Sequence, residues 1–352
     1  MKLDKIKVLD ISTVLAGPSV GTFFAEMGAT VTKIEHPILP DVTRSWKLES
    51  EPPSNKTSAY FSSINYKKKY LKLNLLNSSD YSVFMTLVKE SDILISNFKK
   101  GDDQKLNITD LELRNVNPKL IIAKITGFGL DSDRVAYDLI LQAESGFMSI
   151  NGEKNASPLK MPVALIDVLA AHHLKEGILV ALLHQKESGE AKTVHVSLYN
   201  AAIASLTNQA SNYLMTSKVP KRQGNLHPNI APYGEIFKTK DGKDITFAIG
   251  SNKHFTDLST SLKLKIHEES KFENNQLRVK NREELRLLLQ DEVLKRNSYD
   301  ISTALHQLNV PCALVKDIKE VLSDEKAKPL IKIEKIDGED TSRITSIGFE
   351  LL

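Results

Sequence analysis

Cysteine is almost missing from this 352-residue chain, with Cys312 the single example. No intramolecular disulfide can form, and thiolate zinc sites and Cys-x-x-Cys redox chemistry are excluded. A reducing, cytoplasmic compartment fits that usage. Charge of one sign is scarce too. Forty-seven Lys and Arg stand against 44 Asp and Glu, a net of +3, too small over this length to imply a nucleic-acid partner. Long apolar runs are lacking. The opening MKLDKIKVLD mixes charges into an alternating pattern and has no continuous apolar stretch of the signal-peptide kind. The most apolar long segment, 166–183, carries Asp167, His172, His173, Lys175 and Glu176, which is wrong for a membrane span. Internal repeats and low-complexity tracts are also missing. What remains is a globular composition, 26% charged and 41% hydrophobic. Single cores rarely grow past roughly 250–300 residues, so two domains are expected.

The first two hundred residues alternate strand and helix patterns. IKVLDI (6–11) reads as a buried strand, and the stretch from Pro18 to Gly28 as a helix. Pro18 suits a first helical position and Gly28 a helix end. TVTKIE (30–35) alternates as a strand does. Such a strand–helix–strand unit predicts a parallel sheet. Further helices are expected over 81–89, 168–185 and 199–214, and strands over 93–96, 120–126 and 193–198. The polar TSKVPKRQGNLHPNIAP (216–232) then reads as a linker. GEIFKT, the turn KDGK and DITFAIG predict a hairpin, followed by a Lys- and Glu-rich helical stretch over roughly 253–308. From 317 come a helix, DIKEVLSDE, and weak strand signals. The fold class is α/β, with a smaller α+β domain.

Several familiar chemistries are absent as motifs. LAGPSVG spaces Gly17 and Gly21 wrongly for a dinucleotide fingerprint, although Glu35 ends the second strand where a ribose-binding acid would sit. Walker and Gly-x-Ser-x-Gly motifs do not occur. Ala16, Gly17 and Gly21 are open to two readings, helix-on-strand packing or backbone approach to an extended ligand. His172 and His173 are adjacent, diverge by about 100° on a helix, and make a poor metal pair; no metal is expected. The Lys67–Lys68–Lys69 run is either a solvated face or a grip on the phosphates of an anionic cofactor. Asp167 is the most informative residue. An acid inside PVALIDVLAAHH is costly unless it caps the helix, is paired or reacts. In the last case it would be a carboxylate nucleophile or base tuned by its apolar surroundings.

Nine collinear blocks resemble the family III CoA-transferases, the CaiB–BaiF family. They run from IKVLDISTVLAGPSVGTFFAEMGATVTKIEHP and DVTR through SAYFSSINYKKKYLKLNL, SDILISNFKKG, NPKLIIAKITGFG and AYDLILQAESGFMS. The Asp167 segment, APYGEIFKTKDG and VPCALV complete a match over about residues 6–325. The resemblance implies a large Rossmann-like domain from residues 1–200, a linker over 201–232, a small α+β domain over 233–316 and a return to the large domain over 317–352. It also implies an interlocked homodimer. The family's catalytic carboxylate falls on Asp167, which would attack an acyl-CoA thioester, form a mixed anhydride and pass CoA to an acceptor acid through an aspartyl-CoA thioester. Coenzyme A, as acyl-CoA, and a small carboxylic acid are the implied partners, with no nucleic acid or membrane.

The family's CoA-contacting positions fall on Val14, Leu15, His36, Lys68, Lys105, Tyr137 and Asp138. Lys68 and Lys105 would supply cations to the adenine-nucleotide end. Some members carry Gln where Leu15 stands, so the acyl specificity is expected to differ from theirs. Trp46 matches an aromatic near the active site of some members. The α-methylacyl-CoA racemases are the rival within the fold, and their paired base, a His, falls on Tyr137. A phenol with a pKa near 10 is a poor base at neutral pH, which favours transfer over racemisation. A CoA-ester-binding protein without catalysis is the reading from another class. FAIGSNKHF offers only Gly250 where some transferases carry a glycine-rich shielding loop, so shielding is expected to differ. The chain closes with SRITSIGFELL, earlier than typical members, so a trimmed closing segment is expected.

Overall fold

A computed structural model describes residues 3–351. The chain divides into two compact units. The first holds the residues up to Phe147, Lys160–Lys218 and those from Glu325 onward; the second holds Met148–Leu159 and Val219–Asp324.

The first unit is built on six strands: β1 (Lys7–Asp10), β2 (Thr30–Glu35), β3 (Lys69–Lys72), β4 (Ile93–Ser96), β5 (Ile121–Thr126) and β6 (Thr193–Ser197). Every neighbouring pair is parallel, in the order β3-β2-β1-β4-β5-β6. This is the doubly wound order, in which the chain reverses direction across the sheet between β1 and β4. Its longer helices are α1 (Ala16–Glu26), α2 (Ser78–Glu90), α3 (Asp110–Val116), α4 (Asp138–Glu144), α5 (Leu165–Ser188), α6 (Leu198–Ala204) and α7 (Thr207–Thr216).

Strand alternation sorts the core onto two faces. Val8, Ile93, Ile95, Ile121 and Ala123 pack with Val20 and Phe24 of α1 and with Ile166, Ala170, Leu174 and Ile178 of α5. Leu9, Leu94 and Ile122 face the other way, onto Phe84 and Val88 of α2 and Leu113 of α3. Local signals set the helix limits. Asn77 caps α2, a Thr109–Glu112 capping box starts α3, and Gly189, at φ +78°, ends α5. Pro18 stands third in α1 rather than first, still within the turn whose N–H groups lack helical partners.

A hairpin, β10 (Ile331–Ile336) with β11 (Glu339–Ile344), closes this unit. Arg343 pairs with Glu26 at 2.7 Å, and Asp337 with Arg44 at 2.8 Å. The second unit has an antiparallel sheet of β7 (Tyr233–Lys238), β8 (Asp244–Ala248) and β9 (Cys312–Leu314). Its own core gathers Phe237, Phe247, Phe255, Phe272, Leu289 and Leu305.

The segment boundaries differ from those expected. Residues 201–216, assigned to a linker, are largely helical because Ala201 and Ala202 are buried with the first core. Residues 317–324 stay with the second unit. There Val315 N donates to Asp244 O, and Lys243 pairs with Glu320 at 3.2 Å. Tyr199–Leu214 is two helices, with Ser205 and Leu206 between them.

Candidate active site

The loops after β1 and β4 meet at the reversal point of the sheet, where doubly wound folds open a crevice at the strands' carboxyl ends. Asn97 joins them. Its Oδ1 accepts from Thr13 N at 3.0 Å, and its Nδ2 donates to Thr13 O at 2.8 Å. Beyond Thr13, Val14 has φ +72°, an outlying backbone for a β-branched residue. Asp41 holds it there, both carboxylate oxygens accepting from Val14 N at 3.3 Å. Asp41 is in turn paired with fully buried Lys33 at 3.2 Å, and Lys33 Nζ donates to Ser12 O at 2.7 Å. Strain at Val14 is therefore sustained by a buried ion pair.

Asp167 enters from the opposite side, as the third residue of α5. The helix begins after Ala164, which has no capping side chain. The capping role open to Asp167 is filled by another acid: Asp138 Oδ1 accepts from Ile166 N at 2.7 Å. Asp138 Oδ2 accepts from Gln142 Nε2 at 2.6 Å, and Gln142 Oε1 accepts from Met161 N at 2.7 Å. Asp167 is only 7% exposed. Among the described residues no group donates a hydrogen bond to its carboxylate and no cation pairs with it. Burial, and secondarily the Asp138 carboxylate, push its pKa up to about 7.

Two clefts share Val14, Leu15, Tyr137 and Asp167 as walls. One, of about 220 Å³, runs along the β4 loop past Asn97, Lys99, Lys100 and Arg134. Among the described residues Lys100 reaches only a backbone oxygen, that of Asp131 at 3.2 Å. Arg134 is committed to Glu144 and lies 4.0 Å over the Phe128 ring. A neighbouring hollow of about 240 Å³ shares Phe98, Lys99 and Lys100 but not Asp167. The other cleft, of about 460 Å³, is walled by Trp46, Tyr60, Asp138, Lys160 and Val163. Trp46 and Tyr60 meet edge to face at 5.1 Å. Burial, together with the carboxylates of Asp167, Asp138 and Asp41, raises the Tyr60 phenol to about 12. It stays a neutral donor at physiological pH.

The structure thus brings Val14, Leu15, Tyr137, Asp138 and Asp167 together, with Trp46 beside them. Lys68 requires a correction. Its side chain is fully buried, and Nζ donates to Asp10 Oδ2, Pro18 O, Ile64 O and Asn65 Oδ1 at 2.8–3.0 Å. No donor is left for a phosphate. Burial opposes ionisation of Asp10, but the Lys68 and Lys33 ammonium groups and bonds from Lys68 and Ser12 hold its carboxyl below the usual range. His36 lies outside both clefts, with Nδ1 accepting from Ile38 N and Leu39 N. Lys105 is exposed, pairs with Asp102 at 3.2 Å and lines neither cleft.

The glycine question resolves toward packing. A Cβ on Gly17 would lie 2.3 Å from Ser12 Oγ, and one on Gly21 would lie 2.8 Å from Asp10 Oδ2. Glu35 is occupied by Arg44, which donates from Nε and from Nη2 at 2.7 Å. Among the described residues no imidazole lines either cleft, and no group of three or more His, Cys, Asp or Glu is placed to hold a metal ion. No helix among them is long and apolar enough to cross a membrane. Asn97, Lys99, Lys100, Arg134, Tyr60 and Lys160 were not singled out from the sequence. The only signal for the first four was their position in loops that follow strands β4 and β5.

The profile of CoA-transferase family III matches residues 3–351. The chain is 35% identical to the succinate–glutarate CoA-transferase of Agrobacterium fabrum, over 98% of this chain and 88% of that protein. It is 30% identical to the succinyl-CoA:glutarate CoA-transferase of Homo sapiens, over 92% of this chain and 73% of that one. A crystal structure of a CaiB/BaiF family protein from Brucella suis superposes with a TM-score of 0.83 at 32% identity, covering 99% of this chain and 92% of that one.

Proposed function

The chain belongs to CoA-transferase family III, and from that premise we propose that it moves CoA from an acyl-CoA donor to a carboxylic acid acceptor through covalent states on Asp167. The observation that carries this reading is an unpaired, buried carboxylate with a pKa near 7 on the wall common to two clefts. Ionised Asp167 attacks the thioester carbonyl; the C–S bond breaks, CoA thiolate departs and an acyl-aspartyl anhydride forms. The thiolate then attacks the aspartyl carbonyl of the anhydride and releases the donor acid, leaving an aspartyl-CoA thioester. The acceptor carboxylate attacks that thioester and regenerates thiolate beside a new anhydride. Attack of the thiolate on the acyl carbonyl then yields the new acyl-CoA and free Asp167. Each step replaces one difficult transfer by an easier exchange between bound neighbours.

The remaining parts fall around this centre. The cleft beside Lys99 and Lys100 suits the anionic carrier, with Val14, Leu15 and Tyr137 along its acylated end and Asp138 in the adjoining cleft; His36 and Lys105, which line neither cleft, would serve only a nucleotide end that extends beyond them. The α1 N-terminus has no side-chain cap, so its first N–H groups are available to the oxyanion of each tetrahedral state. The Trp46–Tyr60 cleft receives the acyl group and the acceptor acid. The acids named for the relatives above, succinate and glutarate, are dicarboxylates, and we carry that class to this chain. An interlocked homodimer belongs to the same proposal, supported by apolar surface at Val180 and Leu183 of α5 and Leu214 and Met215 of α7.

The test is mass spectrometry of the protein after incubation with succinyl-CoA. A succinyl or CoA adduct on the Asp167 peptide, captured by hydroxylamine and absent from Asp167→Ala, is the expected result. Unmodified protein that still binds CoA, or Asp167→Ala turning over near the native rate, would overturn the reading.

A further inference from the structure

The cleft beside Trp46 and Tyr60 carries one feature that acyl transfer to Asp167 does not use. Its charged walls are Asp138 and Asp167 on one side and a single cation, Lys160. Of the other lysines near the centre, Lys33 and Lys68 are fully buried and ion-paired, and Lys99 and Lys100 line the other cleft. Lys160 is exposed and, among the described residues, forms no ion pair. Its one polar contact is the Met161 carbonyl at 3.5 Å, the outer limit for a hydrogen bond. The rest of the wall is aromatic and aliphatic: Leu15, Trp46, Tyr60, Leu139 and Val163.

An acyl group in this cleft presents its reacting carbonyl to Asp167. A monocarboxylic acyl chain offers nothing further to a cation. A dicarboxylic one keeps a second, ionised carboxylate, which would otherwise face the negative charge of Asp138 in a partly desolvated space. Such an anion is costly there unless a counter-charge meets it. We propose that Lys160 is the specificity-determining residue of the acyl cleft, binding the distal carboxylate of dicarboxylic acyl groups in both the donor thioester and the acceptor acid. The proposal rests on the transfer reading above and adds to it the residue that selects the substrate. Lys160 is set for this by sequence. It lies seven positions before Asp167, and the next residue, Met161, is fixed through its N–H to buried Gln142, which also holds Asp138.

The experiment compares succinyl-CoA with butyryl-CoA, chains of equal length with and without the distal carboxylate. Wild type, Lys160→Met and Lys160→Arg are each measured for transfer kinetics and for direct binding by calorimetry. Because Lys160 is exposed, neither substitution disturbs the core. Charge-assisted contacts of this kind are worth roughly a tenfold to hundredfold preference. Wild type should favour succinyl-CoA on that scale. Lys160→Met should lose the preference through KM and Kd, with kcat and butyryl-CoA little changed, and Lys160→Arg should retain most of it. A preference that survives in Lys160→Met, or a wild type indifferent to the distal carboxylate, overturns the proposal. If no CoA ester is turned over, the transfer reading fails instead, and calorimetry still decides whether Lys160 selects dicarboxylic esters.

Discussion

Replacing Asp167 by Asn should make the protein more stable as it makes it inactive, and the gain should depend on pH in a fixed way. The carboxyl is raised from 3.8 to about 7 by burial first and Asp138 second. Its folded pKa is thus above its unfolded one. Below about pH 4 both states hold the proton and the site costs nothing. As pH rises toward 7 the unfolded chain releases a proton that the folded chain retains, so folding stability falls; above 7 the loss is complete. The arithmetic gives a penalty of about 2 kcal/mol at pH 5 and about 4 kcal/mol at pH 8, an upper figure because water reaches the clefts. Asn keeps the shape and does not titrate, so it escapes the penalty. At roughly 2–4 °C per kcal/mol for a unit of this size, the melting gap between variant and wild type should about double between pH 5 and pH 8. Melts at fixed protein concentration read this directly, since any self-association makes the midpoint concentration-dependent. On the proposed mechanism the same ionisation sets the wild-type rate. About a tenth of the sites carry the nucleophile at pH 6 and about nine-tenths at pH 8, so kcat/KM should climb about tenfold. An equal melting gap at both pH values, or a flat rate between them, would refute the assignment of a buried, unpaired carboxylate.

Two other substitutions test the surroundings of the site. Lys68→Met should destabilise the protein by about 3–5 kcal/mol, because Asp10 would remain buried with its closest cation removed; a melt settles it, and a stable variant with only weaker CoA binding would return Lys68 to the carrier site. Val14→Gly should relieve backbone strain of about 1–2 kcal/mol while loosening the wall shared by the two clefts, so the melting point should hold or rise as kcat falls; unchanged turnover would make the strain at Val14 incidental.

Much of the large sheet could be read in advance, because its signals are local. β2 and β4 occupy the residues expected of them, and α5 extends the expected helix by a few residues at each end. β3 escaped notice: four residues with two lysines, at the sheet edge, carry no hydrophobic alternation. Lys68 misled for a related reason. Its partner Asp10 is 58 positions away, and a buried cation looks like a solvated one until that partner is located. The same holds for Asp138, which caps a helix 28 residues further on, and for Met148–Leu159, which belongs to a unit formed mainly of residues beyond 218. Asp167 could be found because an acid among apolar neighbours is anomalous over a short window. Tyr60, Lys99 and Lys160 could not, since an aromatic or a lysine in a polar loop is ordinary.

The contrast among the buried acids argues for chemistry at Asp167 independently of any relative. Asp10, Glu35, Asp41 and Glu235 are all buried, and each has a cation: Lys68 at 2.8 Å, Arg44 at 2.7 Å, Lys33 at 3.2 Å and Arg282 at 3.3 Å. A fold that pairs four acids has the means to pair a fifth. Among the described residues Asp167 is left without a cation, and the structural service its position permits, capping α5, is already performed by Asp138. The cost of burying it is therefore not offset by anything the fold gains. A nucleophilic carboxylate requires this arrangement: a tight cation would lower its pKa and, with it, its reactivity toward a thioester, whereas desolvation without a partner raises both. Locking Lys33 and Lys68 into their own pairs serves the same end. On the proposed mechanism this keeps strong cations away from the reacting oxygen and leaves exposed Lys99, Lys100 and Lys160, which line the two clefts, to meet the charges that the substrates bring.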